Sequence, residues 1–137
     1  MKVKLFFSLP FVALVAIESQ AAASTILLQC GPLGDFRGPA LIDVDTDAKH
    51  IKFEDTKYNR TEVYTDGLVE TDPKWGPYKN YVVIEDDFIR FGSTPQREDL
   101  RKRGESGWAY VIDRRTGVLT DALGGSATCS LRPTRKF

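Results

Sequence analysis

Residues 108–119 read WAYVIDRRTGVL, and their pattern decides the fold class. Trp108, Tyr110 and Ile112 alternate with Ala109, Val111 and Asp113. A period of two is the signature of a half-buried strand. Arg114, Arg115, Thr116 and Gly117 then break the pattern, and Val118, Leu119 and Thr120 resume it. Gly117 can take a positive φ at no steric cost, which suits a hairpin turn closed by a bulge.

The same pattern spreads outward in both directions. In residues 127–131, Ala127, Cys129 and Leu131 share one face, and Thr128 and Ser130 the other. In residues 26–30, Ile26, Leu28 and Cys30 share a face. Ala40, Ile42 and Val44 alternate with Leu41, Asp43 and Asp45, residues 46–49 turn the chain, and Ile51 and Phe53 follow as the second arm of a hairpin. A short strand is expected over 61–65, with Val63 on one face and Glu62 and Tyr64 on the other. Residues 81–84 and 88–91 flank an acidic turn, Glu85, Asp86 and Asp87. The expectation is an all-β domain: a small antiparallel barrel or sandwich of about eight strands.

Two stretches read differently. Residues 71–80 (TDPKWGPYKN) hold two prolines, a glycine and two aromatics and read as a stiff loop. Trp75 and Tyr78 there either form a contact surface or, for Trp75, fold back to plug the barrel. Residues 93–107 allow a short surface helix, capped by Ser93 or Thr94 with Pro95 in its first turn, and ended by Gly104. Leu100 is its only large apolar residue, so little burial is expected, and the segment reads as a surface helical turn or a mobile loop. Arg101, Lys102 and Arg103 form a basic cluster that could meet an acidic partner, anionic lipid or sugar, or could be a solvated face among Glu98, Asp99 and Glu105.

Residues 1–23 follow the export pattern: Lys2 and Lys4, an apolar run from Leu5 to Ile17, a polar stretch, then Ala21, Ala22 and Ala23. The run is short for a spanning helix, which needs about 20 apolar residues. A signal peptide over 1–23 is expected, with a cut after Ala21 as the alternative. Residues 24–137 then form a single β domain, periplasmic or secreted, with no membrane span. In such a compartment the only two cysteines, Cys30 and Cys129, are expected to form a disulfide between the first and last strands, with free thiols as the alternative.

Charge excludes one class. Residues 24–87 carry 13 acidic and 7 basic side chains, and residues 88–137 carry 5 and 10. Mutual attraction of the two halves explains this split. A nucleic-acid binder would need a strong positive face and a motif, and neither is visible.

No catalytic set can be named. Asp43, Asp45, Asp47 and Glu54 match the acidic spacing of a calcium loop, but Ala48 stands where glycine is required and the flanks read as strands. His50 is the only histidine, so triad chemistry and a histidine-rich zinc site have no support. Asn59, Arg60 and Thr61 form an N-glycosylation acceptor pattern. No cofactor or metal is expected.

The stretch 108–119, followed by Gly124, Gly125 and Cys129, resembles a pattern in small exported proteobacterial proteins of unknown function. In these, an apolar strand ends in I-D-R-x-T-G-x-L, and a glycine and a cysteine follow. The resemblance implies a bacterial, periplasmic or secreted protein and carries no activity. The general shape is also similar to periplasmic lysozyme inhibitors, which are small disulfide-tied β-barrels. Their inhibitory loop motif is not found here. The expected function is a non-catalytic binding module or inhibitor, contacting an unknown protein or glycan through surface loops. The alternatives are a barrel carrying a small apolar ligand and a small hydrolase using carboxylates.

Overall fold

The structure is a computed structural model and describes residues 25–34, 37–104 and 107–132. The expected signal peptide, 1–23, lies outside these residues. Among the described residues ten strands form one antiparallel sheet: β1 (Thr25–Cys30), β2 (Ala40–Asp45), β3 (His50–Asp55), β4 (Arg60–Thr65), β5 (Val69–Asp72), β6 (Gly76–Ile84), β7 (Phe88–Pro95), β8 (Ala109–Asp113), β9 (Val118–Asp121) and β10 (Ser126–Leu131). Their order is β4-β3-β2-β1-β10-β9-β8-β7-β6-β5. Except at the step from β4 to β5, each strand therefore lies beside its sequence neighbours, and β1 pairs with β10. This is the cyclic order of an up-and-down barrel with one ladder missing, between β4 and β5. The sheet curls into a half-barrel rather than splitting into a sandwich.

The count is ten strands where about eight were expected. Residues 71–80 are not a loop: β5 pairs with β6 from Val69↔Lys79 to Asp72↔Gly76, and only residues 73–75 form the turn. β5 was illegible because Val69, Glu70 and Thr71 are all exposed. Its strand form rests on backbone pairing with β6, not on a buried face. Ser93 and Thr94 also belong to a strand, β7, and do not cap a helix. The helix α1 (Glu98–Lys102) starts after Arg97 without a side-chain cap. Its Leu100 is 1% exposed, so this short element is pinned to the body, contrary to the expected minimal burial. Gly104, at φ +72°, ends the turn as expected.

Alternation places the core. Ile42, Val44, Ile51, Phe53, Val82, Ile89, Phe91, Tyr110, Ile112 and Leu119 all point inward and are buried. Each such large side chain contributes roughly 1.5–3 kcal/mol on burial. Three rings fill the centre. Tyr110 stacks on Phe53 and on Phe91, each at 4.9 Å between centroids. Leu131, placed on the face of Cys129 by the alternation, runs past the end of the core and is 72% exposed.

Cys30 and Cys129 are directly opposite across the β1–β10 ladder and form the expected disulfide. Gly117 sits against it. Its φ is +76°, and a Cβ there would lie 2.7 Å from the Cys129 carbonyl oxygen. The same close approach lets the Cys129 N–H donate to Gly117 O at 2.7 Å.

The hairpin turns share one device. Asp45, Asp55, Asp72, Asp113 and Asp121 each end a strand, and each side chain accepts backbone N–H bonds from residues two to four positions ahead. After the first four comes a residue with positive φ at the fourth position: Lys49, Asn59, Gly76 and Gly117. An aspartate that mimics a backbone acceptor fixes the turn locally.

Candidate functional site

The missing ladder leaves a cleft of about 860 Å³. One wall is β4, residues 61–64, and the other is β5 with its turn, residues 70–73. Tyr78, Asn80, Ser93 and Trp108 line it from β6, β7 and the approach to β8, with Ala122 and Leu123 at the rim. At one end the seam is drawn together. The Asp66 N–H donates to Lys49 O at 3.0 Å, and the Asp66 carboxylate accepts from Val82 N at 2.9 Å. Gly67 N donates to Asn80 O at 2.9 Å, and Asn80 N to Leu68 O at 2.8 Å. At the other end β4 and β5 diverge and the cleft opens.

Register explains how the lining residues meet. Asn80 lies opposite Ser93, and Ser93 N donates to Trp108 O at 2.8 Å. One row therefore runs Asn80, Ser93, Trp108 across three strands. Gly107 permits that approach, since a Cβ there would sit 2.0 Å from Ser93 O. On β4 the inward positions are Glu62 and Tyr64, opposite Phe53 and Ile51 of β3.

A charged network ties this end together. Arg37 Nη1 donates to Glu62 Oε2 at 2.8 Å. Its guanidinium lies 4.6 Å from the Trp108 ring centroid and 5.5 Å from that of Tyr110, within range of cation–π attraction. The Tyr64 hydroxyl donates to Glu62 Oε1 at 2.9 Å and the Tyr110 hydroxyl to Glu62 Oε2 at 3.1 Å. Trp108 Nε1 donates in turn to the Tyr110 oxygen. Burial, then the Glu62 charge, pushes both phenols well above the ordinary tyrosine range. Burial opposes the charge on Arg37. The hydrogen bond to Glu62 and the neighbouring phenols outweigh it, and the guanidinium is held above its usual value.

Asn80 is the exception in this otherwise well-bonded region. It is 3% exposed, it lines the cleft, and its side-chain Nδ2 has no hydrogen-bond partner among the described residues. Leaving a buried donor unpaired costs about 1–3 kcal/mol. Its place on the inward face follows from β6 alternation with Tyr78 and Val82, but its lack of a partner is a tertiary fact.

The residues singled out in the sequence are scattered. Tyr78 lines the cleft. Trp75 sits in the β5–β6 turn, 41% exposed, with Lys74 Nζ 4.8 Å from its ring centroid. It does not plug the barrel. Arg101 borders a second, smaller depression of about 440 Å³ on the outer side of β6, shared with Lys79 and Gln96. Lys102 pairs with Glu98 at 3.3 Å, and both Lys102 and Arg103 are exposed. The calcium-like set is used otherwise. Asp43 pairs with Arg132, Asp45 accepts the turn amides, and Glu54 pairs with Lys52. His50 Nδ1 shares a 2.8 Å hydrogen bond with Thr65 Oγ1. Asn59 is exposed in its turn.

Sequence reasoning missed Arg37, Glu62, Asn80 and Trp108. The only signal for Glu62 was its place on the Tyr64 face of a strand. The disulfide suits an oxidising compartment, and no helix among the described residues is long and apolar enough to cross a membrane. Comparison of the chain with protein-family models, with curated proteins and with solved structures gave no match.

Proposed function

We propose that this protein is a non-catalytic binding module, periplasmic or secreted, that holds part of a protein or glycan partner in the cleft between β4 and β5. The observation that carries the reading is the amide of Asn80, buried in the lining of an open cleft and lacking an acceptor among the described residues. Turning that amide toward the cleft would let a ligand oxygen remove the penalty. Tyr78 and Trp108 add aromatic surface beside it. Of the two segments singled out in the sequence, 71–80 contributes Thr71, Asp72, Pro73, Tyr78 and Asn80 to the cleft, and 93–107 contributes only Ser93 and Gly107. A carrier of apolar ligands would need the interior that Phe53, Phe91 and Tyr110 occupy. A hydrolase would need a pair of free carboxylates, whereas of the three lining the cleft Glu62 accepts three hydrogen bonds and Asp72 two turn amides, which leaves Glu70 alone.

The test is to screen labelled protein against peptide and glycan arrays, in parallel with two variants. Ser93→Trp fills the cleft floor. A triple Arg101→Ala, Lys102→Ala, Arg103→Ala variant removes the basic cluster. The expected result is a restricted set of binders lost in the first variant and kept in the second. The reverse pattern, or hydrolysis of an array member, would overturn the proposal.

A further inference from the structure

Resting on the cleft reading above, we infer that the natural occupant is an extended, basic peptide segment of a partner, added as a strand along the free side of β4. Four observations point there. First, β4 and β5 are the edges of a sheet whose cyclic order lacks one ladder, and β4 is hydrogen-bonded to β3 along one side only. An unpaired strand edge is a template for a further strand. Second, the cleft lies along that edge, beside residues 61–64. Four residues of strand span about 13 Å, room for a short extended segment.

Third, the lining carries Glu62, Glu70 and Asp72 and, among its described residues, no lysine, arginine or histidine; Glu62 is paired with Arg37 from behind the cleft, so Glu70 and Asp72 carry the net negative charge that a ligand meets. Glu70 is exposed on β5 and faces the gap. A cationic side chain reaching across from a strand on β4 would meet that carboxylate and the faces of Tyr78 and Trp108. Fourth, Asn80 lines the cleft, and turning its amide toward the gap would let Nδ2 donate to a peptide carbonyl. Peptide backbone supplies such acceptors at every residue, so the orphan amide becomes a clamp. A neutral sugar would satisfy Asn80 but would leave the β4 edge and the acidic wall unused.

The probe is a fluorescein-labelled hexapeptide of alternating lysine and valine, read by anisotropy at low salt, with hydrogen exchange of the 61–65 amides followed in parallel. Three comparison probes are the glutamate–valine version, the lysine–valine version N-methylated at alternate residues, and a labelled chitohexaose. The expected result is binding of the lysine–valine peptide, with slower exchange in β4. Affinity should fall about tenfold or more with N-methylation, the loss of roughly one or two backbone hydrogen bonds. The glutamate version should bind at least as poorly, and Glu70→Gln should weaken the lysine peptide about threefold. Equal binding of the N-methylated peptide would overturn strand addition. Chitohexaose binding lost in Ser93→Trp, with no peptide binding, would overturn this inference while leaving the cleft reading intact. Failure of every probe, or binding of all of them unchanged by Ser93→Trp, would overturn both. A β4-to-β4 dimer, seen as a doubled mass in sedimentation with the 61–65 amides already protected, would also overturn the peptide assignment.

Discussion

Arg37 and Glu62 form a 2.8 Å ion pair that is roofed by the Trp108 ring and buttressed by two phenols. Arg37 precedes β2 and Glu62 lies in β4, so the pair ties the connection after β1 to the free edge of the sheet. Its side chains are only 15% and 31% exposed, so screening by water is partial. Replacing Arg37 by Met should cost about 1–3 kcal/mol, because it leaves a partly buried carboxylate short of a charged partner. The Arg37→Met, Glu62→Gln double variant should recover part of that loss. Urea unfolding of the four proteins in a double-mutant cycle measures the coupling, and additive losses would contradict the described geometry.

Alkaline pH should destabilise the protein through the same network. The phenols of Tyr64 and Tyr110 are raised above their ordinary value of 10.0 by burial and by Glu62. A folded-state pKa above the unfolded one gives stability that is complete below the unfolded value. That stability is lost as pH rises past it. Stability should therefore hold up to about pH 9 and fall above about pH 10. Ultraviolet titration should show Tyr64 and Tyr110 ionising only with unfolding. Tyr64→Phe should reduce the steepness of the loss.

The disulfide should be a large single contribution to stability. It closes a loop of 99 residues between adjacent strands. On the chain-entropy argument this is worth about 4–5 kcal/mol. The Cys30→Ala, Cys129→Ala double variant should show a much lower thermal midpoint, and dithiothreitol should bring the native protein toward the same value. An unchanged midpoint would show that pairing of β1 with β10 needs no covalent tie.

Turn aspartates should matter more than loop aspartates. Asp113 Oδ1 accepts from Arg115 N at 2.9 Å and Thr116 N at 3.2 Å. Asp113→Ala should cost about 1 kcal/mol by denaturant titration. Asp86→Ala, at an exposed position in the turn between β6 and β7, should stay within about 0.5 kcal/mol of the native protein.

Gly117→Ala should be worse than a surface change usually is. The new Cβ would meet Cys129 O at 2.7 Å, in a backbone with φ +76°. A loss of more than about 1 kcal/mol is expected, with a lower unfolding midpoint and an intact disulfide by thiol assay.

What the sequence by itself determined were the hairpins and their inward faces. Alternation in 26–30, 40–45, 108–113 and 127–131 is readable because a strand's period is local. The pairing of Cys30 with Cys129 was readable because both fall on apolar faces at the two ends of the meander. The aspartate-led turns were also written in the sequence, since each side chain reaches only a few residues ahead. Only the tertiary structure decided that β5 exists, that Leu100 is buried, and that the barrel stays open between β4 and β5. Curvature of a ten-stranded sheet is a sum over every pair of strands, and no window of sequence contains it. The Glu62 contact with Tyr110 spans 48 residues and that with Arg37 spans 25. Such contacts form only once the sheet has curled, and they make the walls of the cleft in which Asn80 is left without a partner.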